Sequence, residues 1–462
     1  MKRIAEQHLL HWFTKKTRQP LIIRGARQVG KSTLVKIFCD THGLQLLEIN
    51  LEKIKLQSLS SDDFIMQNLL DEIQLKTKKK INEKTILFFD EIQESPKLLK
   101  SLRYFFEDRP DIAVISAGSL LEIALKNEQF SFPVGRVEFY HLGPMTFTEF
   151  LWATNNEFLQ DKLDQLDFSA AVVALAKEQL RIFYYVGGMP KAVKTYVEEK
   201  SLVTVREVQN QILQTYIADF PKYNVRIQVE RIERVFYSTI NQLGKKIIYQ
   251  KVDPNSQSRD IRRIIELLID ARVLLPCRHS ESNSTPLAGE VDYSIQKIYF
   301  LDVGLVNAIM KLDLDVIDQE MKNNFNTKGM IAEQFVAQHL AYFDNHTTGP
   351  ELFYWLRDKG SQKGEIDFII QKKNQIIPIE VKASEAGHLK SLFYFSKEKK
   401  KDIGIKISLD PFSVKEVHHK ITEKKIEITL YSIPQYAISQ LGKIIEPTGK
   451  KPHSNPSDRS TP

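Results

Sequence analysis

Between residues 20 and 145, short apolar runs alternate with longer stretches whose apolar positions recur every three to four residues. The first pattern predicts buried strands and the second amphipathic helices. Leu21-Ile22-Ile23, Leu44–Asn50, Thr85–Asp90 and Ile112–Ser119 have the strand pattern. Residues 4–17, 34–38, 63–75 and 120–126 have the helical one, and Ser61, Asp62 and Asp63 supply capping groups for the third of these. Such alternation predicts an α/β fold, a parallel sheet with helices on both faces. From 146 to 220 the signals turn helical, over 146–152, 170–185, 191–199 and 203–220. Gly187-Gly188-Met189-Pro190 interrupts them, and Pro190 suits the first turn of the next helix. This stretch is expected to form a lid beside the sheet.

The loop after the first strand carries the strongest chemical signal. Gly25 and Gly30 frame Ala26, Arg27, Gln28 and Val29, and Lys31, Ser32 and Thr33 follow at once. The pattern G-x-x-x-x-G-K-[ST] is a phosphate loop, here with strand before and helix after. Its glycines let backbone N–H groups converge on a phosphate, and the following helix adds its positive dipole end. Lys31 is the candidate for the β/γ-phosphates and Ser32 for Mg²⁺, so ATP and Mg²⁺ are the expected ligands. Thr85-Ile-Leu-Phe-Phe-Asp90-Glu91 is an apolar strand ending in two acids. Asp90 is expected to hold Mg²⁺ through water and Glu91 to act as general base toward the attacking water. Ser116 or Ser119, at the next strand's tip, could sense the γ-phosphate or cap the following helix. Arg136 is a candidate arginine finger or a structural salt-bridge residue, and only a homo-oligomer would let it act in trans.

Two further modules follow. Residues 229–242, 247–252 and 258–271 have helical or short apolar patterns, and 273–279 and 295–301 read as strands around a polar stretch, 280–292. Three helices and a hairpin is the winged-helix order. The third helix carries Arg259, Arg262 and Arg263, which would meet phosphates of DNA or RNA or simply lie in solvent. In the last third, a helix over 329–341 bears Glu333, a strand spans 351–357, the next begins at Gly364-Glu-Ile-Asp367, and Ile376–Lys382 carries Glu380 and Lys382 on one face. A helix over 388–397 and a short one over 435–441 complete it. Glu333, Asp367 and Glu380 are candidate metal ligands, with Lys382 as a catalytic lysine; the chemistry such a set suits is metal-assisted phosphodiester hydrolysis.

Composition narrows the class. Apolar content of 42% and charged content of 27% are those of an ordinary globular chain. No 18-residue apolar run and no apolar stretch after Lys2-Arg3 are present, so neither membrane span nor secretory signal is expected, and the cytoplasm is the expected compartment. Cys39 and Cys277 form no metal pattern and are expected as reduced thiols. A net charge of +7 permits nucleic-acid contact without requiring it.

Taken together, the phosphate loop, Asp90-Glu91-Ile-Gln, Ala117-Gly118-Ser119, Gly135-Arg136 and Val186-Gly-Gly-Met-Pro resemble a prokaryotic group of AAA-superfamily ATPases. These carry a C-terminal domain of uncharacterised function (the AAA_14 plus DUF4143 type). The resemblance spans nearly the whole chain and implies ATP and Mg²⁺, but no substrate. The order Glu333, Asp367, Glu380-x-Lys382 resembles the PD-(D/E)xK restriction-endonuclease-like superfamily, without the Pro that names its motif. The expected organisation is a P-loop NTPase domain (1–145), a helical lid (146–225), a winged-helix module (226–318), a restriction-endonuclease-like α/β domain (319–446) and a disordered polar tail (447–462). Two functions are expected to compete. In one, ATP state gates a nuclease-like domain acting on nucleic acid. In the other, the chain is an ATP-driven switch whose C-terminal domain docks a protein or DNA without cutting.

Overall fold

The computed structural model describes residues 1–59, 64–125, 135–223, 227–312, 326–343, 346–357, 364–382, 389–421 and 424–445. The capping residues Ser61, Asp62 and Asp63, the divisions at 225/226 and 318/319, and the polar tail lie outside the described residues.

Strands β1 (Leu21–Arg24), β2 (Gln45–Asn50), β3 (Thr85–Asp90), β4 (Ala113–Gly118) and β5 (Glu138–His141) form a wholly parallel sheet in the order β2-β3-β4-β1-β5. Strand alternation decides which core each side chain joins. On β3, Leu87 and Phe89 pack under helices Met66–Thr77 and Pro96–Asp108, while Ile86 and Phe88 join the opposite core with helix Lys31–Thr41. Both faces are therefore dry, as the continuous apolar runs require. Register aligns Arg24 with Gly118 and His141, and Asp90 with Asn50 and Ala117, so the carboxyl ends of the strands share one edge. The lid helices, Phe147–Ala153 through Leu202–Tyr223, extend the second core.

Helices Val229–Thr239, Tyr249–Val252 and Ser258–Asp270 and the hairpin of β6 (Leu274–Ser280) and β7 (Val291–Phe300) follow in the expected order. The hairpin is not a free wing, however. Its strand β6 pairs in parallel with β8 (Leu352–Arg357), through Cys277 to Leu352 and His279 to Tyr354. It thereby joins β9 (Gly364–Lys372), β10 (Gln375–Val381), β11 (Ile403–Ser408), β12 (Ser413–Ile421) and β13 (Lys424–Pro434) in one eight-stranded mixed sheet, ordered β12-β13-β11-β10-β9-β8-β6-β7. Helix Lys390–Lys399 covers one face through Leu392, Phe393 and Phe395. Helix Asn326–Leu340 contributes Phe335 and Val336 to the core that Phe368, Ile377 and Ile379 join. The sheet thus draws strands from sequence on both sides of residue 318. Its edge register cannot be read locally, because β6 and β8 lie more than seventy residues apart.

Candidate functional site

The phosphate loop sits at the carboxyl edge of the parallel sheet, where the strand order reverses around β1. Gly25 and Gly30 both have positive φ, at 150° and 91°, and Gln28 is left-handed at 62°. A Cβ on Gly25 would stand 2.2 Å from the Leu142 carbonyl oxygen, so only glycine fits beside β5. The loop opens directly into helix Lys31–Thr41, whose first N–H groups face it. The Lys31 ammonium is buried and donates to the carbonyls of Gly25 (3.0 Å) and Ala26 (2.8 Å). Burial lowers its pKa to about 8, with Glu91 and Asp90 opposing. Ser32 Oγ donates to Asp90 Oδ2 at 2.8 Å, and burial raises the Asp90 carboxyl above its ordinary range. A hydroxyl and a carboxylate in contact, beside an ammonium, are the groups that would hold Mg²⁺ and a triphosphate tail.

Glu91 has a left-handed backbone, φ 54°. Its Oε2 accepts from Gln93 Nε2 (2.6 Å) and Ser119 Oγ (3.4 Å). Ser119 in turn accepts from Arg27 Nε at 3.3 Å, so the loop, the acid strand and the β4 tip are joined. Ser116 is buried, with no hydrogen-bond partner among the described residues. Thr33 is exposed. Arg136 lies apart from all of these. It precedes Glu138, which registers with Leu21 at the amino end of β1, opposite the phosphate loop. Its guanidinium pairs with Glu107 at 2.8 Å in a half-exposed bridge. Within one chain the strand direction carries it away from the phosphate loop.

Several contributors have no local motif. Arg3, 7% exposed, donates to Glu149 Oε1 (2.9 Å), the Val29 carbonyl (3.0 Å) and the Gly143 carbonyl (2.9 Å). Glu149 also accepts from the Ile4 N–H (2.7 Å) and closes a capping box with Thr146. From the lid, Asp219 pairs with Arg27 at 2.8 Å and the Tyr216 hydroxyl donates to the Arg27 carbonyl at 2.7 Å. From the middle segment, Arg272 reaches Glu122 at 3.0 Å, in the short helix that follows Ser119. None of these residues stands in a local pattern that marks its role, because their partners lie far off in sequence.

The C-terminal residues converge in part. Asp367 Oδ2 accepts the Val381 N–H at 2.8 Å, and the β9–β10 register, extended one residue beyond Ile379 and Phe368, sets Glu380 opposite Asp367. Lys382 pairs with Glu380, and Tyr299 donates to Glu333 Oε2 at 3.1 Å. Burial, and then the Asp367 charge, pushes the carboxyls of Glu333 and Glu380 well up. The metal expectation is not met in geometry. Among the described residues no three His, Cys, Asp or Glu side chains are grouped to hold a metal ion. The reason lies in partners that sequence reasoning missed: Lys297 from β7 is fully buried and pairs with Glu365, with Asp367 Oδ1 4.0 Å away. Against burial, Glu333, Glu365 and Asp367 hold that ammonium charged, above its ordinary range. Arg259, Arg262 and Arg263 are exposed on helix Ser258–Asp270, with Arg262 bridged to Glu266 at 3.0 Å.

Both thiols are free and buried. Among the described residues no helix is long and apolar enough to cross a membrane.

Residues 17–151 match the family model of an AAA domain, residues 177–316 that of a domain of unknown function, DUF8612, and residues 328–431 that of another, DUF4143. No curated protein matches the chain. Among solved structures, the chain is similar to a Walker-type ATPase of Pyrococcus abyssi, at 13% identity, over 67% of this chain and 95% of that one, with a TM-score of 0.43.

Proposed function

We propose, from the premise that the chain is an AAA-type ATPase with a DUF4143 C-terminal domain, that it hydrolyses ATP and passes its nucleotide state to that domain, a docking module for a protein or nucleic acid. The observation that carries the reading is the contact of Arg27, inside the phosphate loop, with Asp219 and Tyr216 of the lid. A triphosphate competing for Arg27 would draw it from Asp219, and the lid would feel the exchange directly. The lid also reaches onward. The Gly188 N–H donates to the buried Asp302 carboxylate at 2.6 Å, and Asp302 meets Gln338 of the helix that carries Glu333. In this reading Gly25 to Thr33 cradle the phosphates, with Lys31 on the β/γ-phosphates, Ser32 and Asp90 hold Mg²⁺, Glu91 orients water, and Ser119 holds Glu91 and Arg27. Mg²⁺ when bound supplies charge neutralisation on the transferring phosphoryl group.

Lys31 gives the test. Bound phosphate stabilises the charged ammonium, so the bound pKa lies above the free value of about 8. Between the two values ATP binding takes up a proton, and affinity falls by up to ~10-fold per pH unit as pH rises. Calorimetry from pH 7 to 9.5 should show this loss in the wild type. Lys31→Ala should bind about 10- to 100-fold more weakly at pH 7, as for a lost charged hydrogen bond, and lack that slope. Wild-type affinity for Lys31→Ala would remove the assignment.

A second reading has the C-terminal domain cut nucleic acid under control of the nucleotide state. It is favoured by the approach of Asp367 to Glu380 and Lys382 at the end of β10. Glu380→Ala should then abolish degradation of DNA or RNA by the full chain. Equal degradation by variant and wild type would leave docking as the function.

A further inference from the structure

A carboxylate cluster in a protein interior needs positive charge close by, because buried charges persist only when paired. Glu333, Asp367 and Glu380 form such a cluster, with the partly exposed Glu365 at its rim, where β7, β9, β10 and helix Asn326–Leu340 meet. Each of these acids has at least one oxygen already engaged, Glu365 by the Lys297 ammonium. Asp367 Oδ2 takes the Val381 N–H, Asp367 Oδ1 faces the Lys297 ammonium, Glu333 Oε2 takes the Tyr299 hydroxyl, and Glu380 Oε1 takes Lys382. Glu380 Oε2 is buried, with no hydrogen-bond partner among the described residues.

Lys297 is the unusual member. It is 0% exposed, and its ammonium lies 4.9 Å from the Tyr354 ring centre. It comes from the hairpin, outside residues 328–431 that match the DUF4143 model. The side chain is buried along its whole length, and its ammonium ends against Asp367 and the partly exposed Glu365. A divalent cation ligated by Asp367 would stand within a few ångströms of that ammonium, and the two would repel in a poorly screened interior.

We propose that Lys297 is the resident cation of this cluster, taking the place a divalent ion would need and closing the site against metal. The hairpin strand β7 thereby supplies a second counter-charge, on Glu365 and Asp367, beside the one that Lys382 places on Glu380. Removing that charge leaves the acids in excess, and the cluster becomes a binding site for a hard, oxygen-seeking divalent cation. The proposal is independent of the docking reading, since a docking surface does not need the cluster. It opposes the second reading, and its readout is ion binding, whereas that reading is judged by cleavage.

The experiment is a Mn²⁺ titration, by electron paramagnetic resonance, of the nucleotide-free full chain as wild type, Lys297→Met, Lys297→Arg and Asp367→Asn, with the double variant Lys297→Met/Asp367→Asn. Wild type and Lys297→Arg are expected to show no Mn²⁺ site that Asp367→Asn removes. Lys297→Met is expected to gain one, at least ~10-fold tighter than any wild-type binding, and the double variant to lose it. A wild-type Mn²⁺ site abolished by Asp367→Asn overturns the proposal, and so does a folded Lys297→Met that gains none. Should Lys297→Met fail to fold, the comparison of wild type with Asp367→Asn decides alone, because a resident lysine requires their Mn²⁺ curves to coincide.

Discussion

Glu91→Gln should bind ATP with wild-type affinity and turn it over about 10²- to 10⁴-fold more slowly, the usual span for losing a general base. The substitution keeps the shape of the side chain. Its amide oxygen still accepts from Ser119 and Gln93, so the left-handed backbone at residue 91 and the joined loop, strand and tip should persist. What is lost is the capacity to take a proton from water. Parallel calorimetry and steady-state phosphate release separate these effects, since binding and turnover respond differently. A Glu91→Gln enzyme with wild-type turnover would mean that another group positions the water, and would move attention to Asp90.

Arg3→Ala should lower stability by about 3–5 kcal/mol, the range for removing one partner of a buried ion pair. Three acceptor sets lose their donor together: the Glu149 carboxylate, the Val29 carbonyl, and the carbonyls of Gly143 and Pro144. Glu149 retains its bonds to the Ile4 and Thr146 N–H groups, which limits the cost. Because Val29 belongs to the phosphate loop, ATP affinity should fall along with the melting temperature. Lys at this position keeps the charge but cannot reach so many acceptors, and should recover part of the stability. A melting curve unchanged by Arg3→Ala would show that the lid and loop are held by packing alone.

These residues mark where the sequence could and could not be read. The phosphate loop and the Asp90-Glu91 strand end were legible because their chemistry is packed into consecutive positions, and strand and helix periods announced most elements between 20 and 270. Arg3 and Lys297 carried no signal. Each is a charged residue whose partners lie across long separations, Glu149 for the first and Glu365 for the second. Pairing over such distances depends on tertiary closure, which local period does not encode. Glu365 stood in plain view beside Asp367, but read only as a departure from a motif until β7 supplied its partner. The hairpin was legible only in part for a similar reason: its order fits a winged helix, and only pairing with β8 shows which sheet its strands join. Arg136 was legible as a candidate finger or salt-bridge residue, and strand direction sets it near the amino end of the sheet.

The placement of β6 and β7 also bears on any attempt to divide the chain. A fragment starting after the hairpin would leave β8 as a bare rim, its N–H and C=O groups facing Cys277 to His279 now without mates. Raw strand borders of that kind recruit one another, so such a truncation invites clumping rather than a well-behaved piece. The shortest portion that keeps the rim covered begins ahead of Leu274.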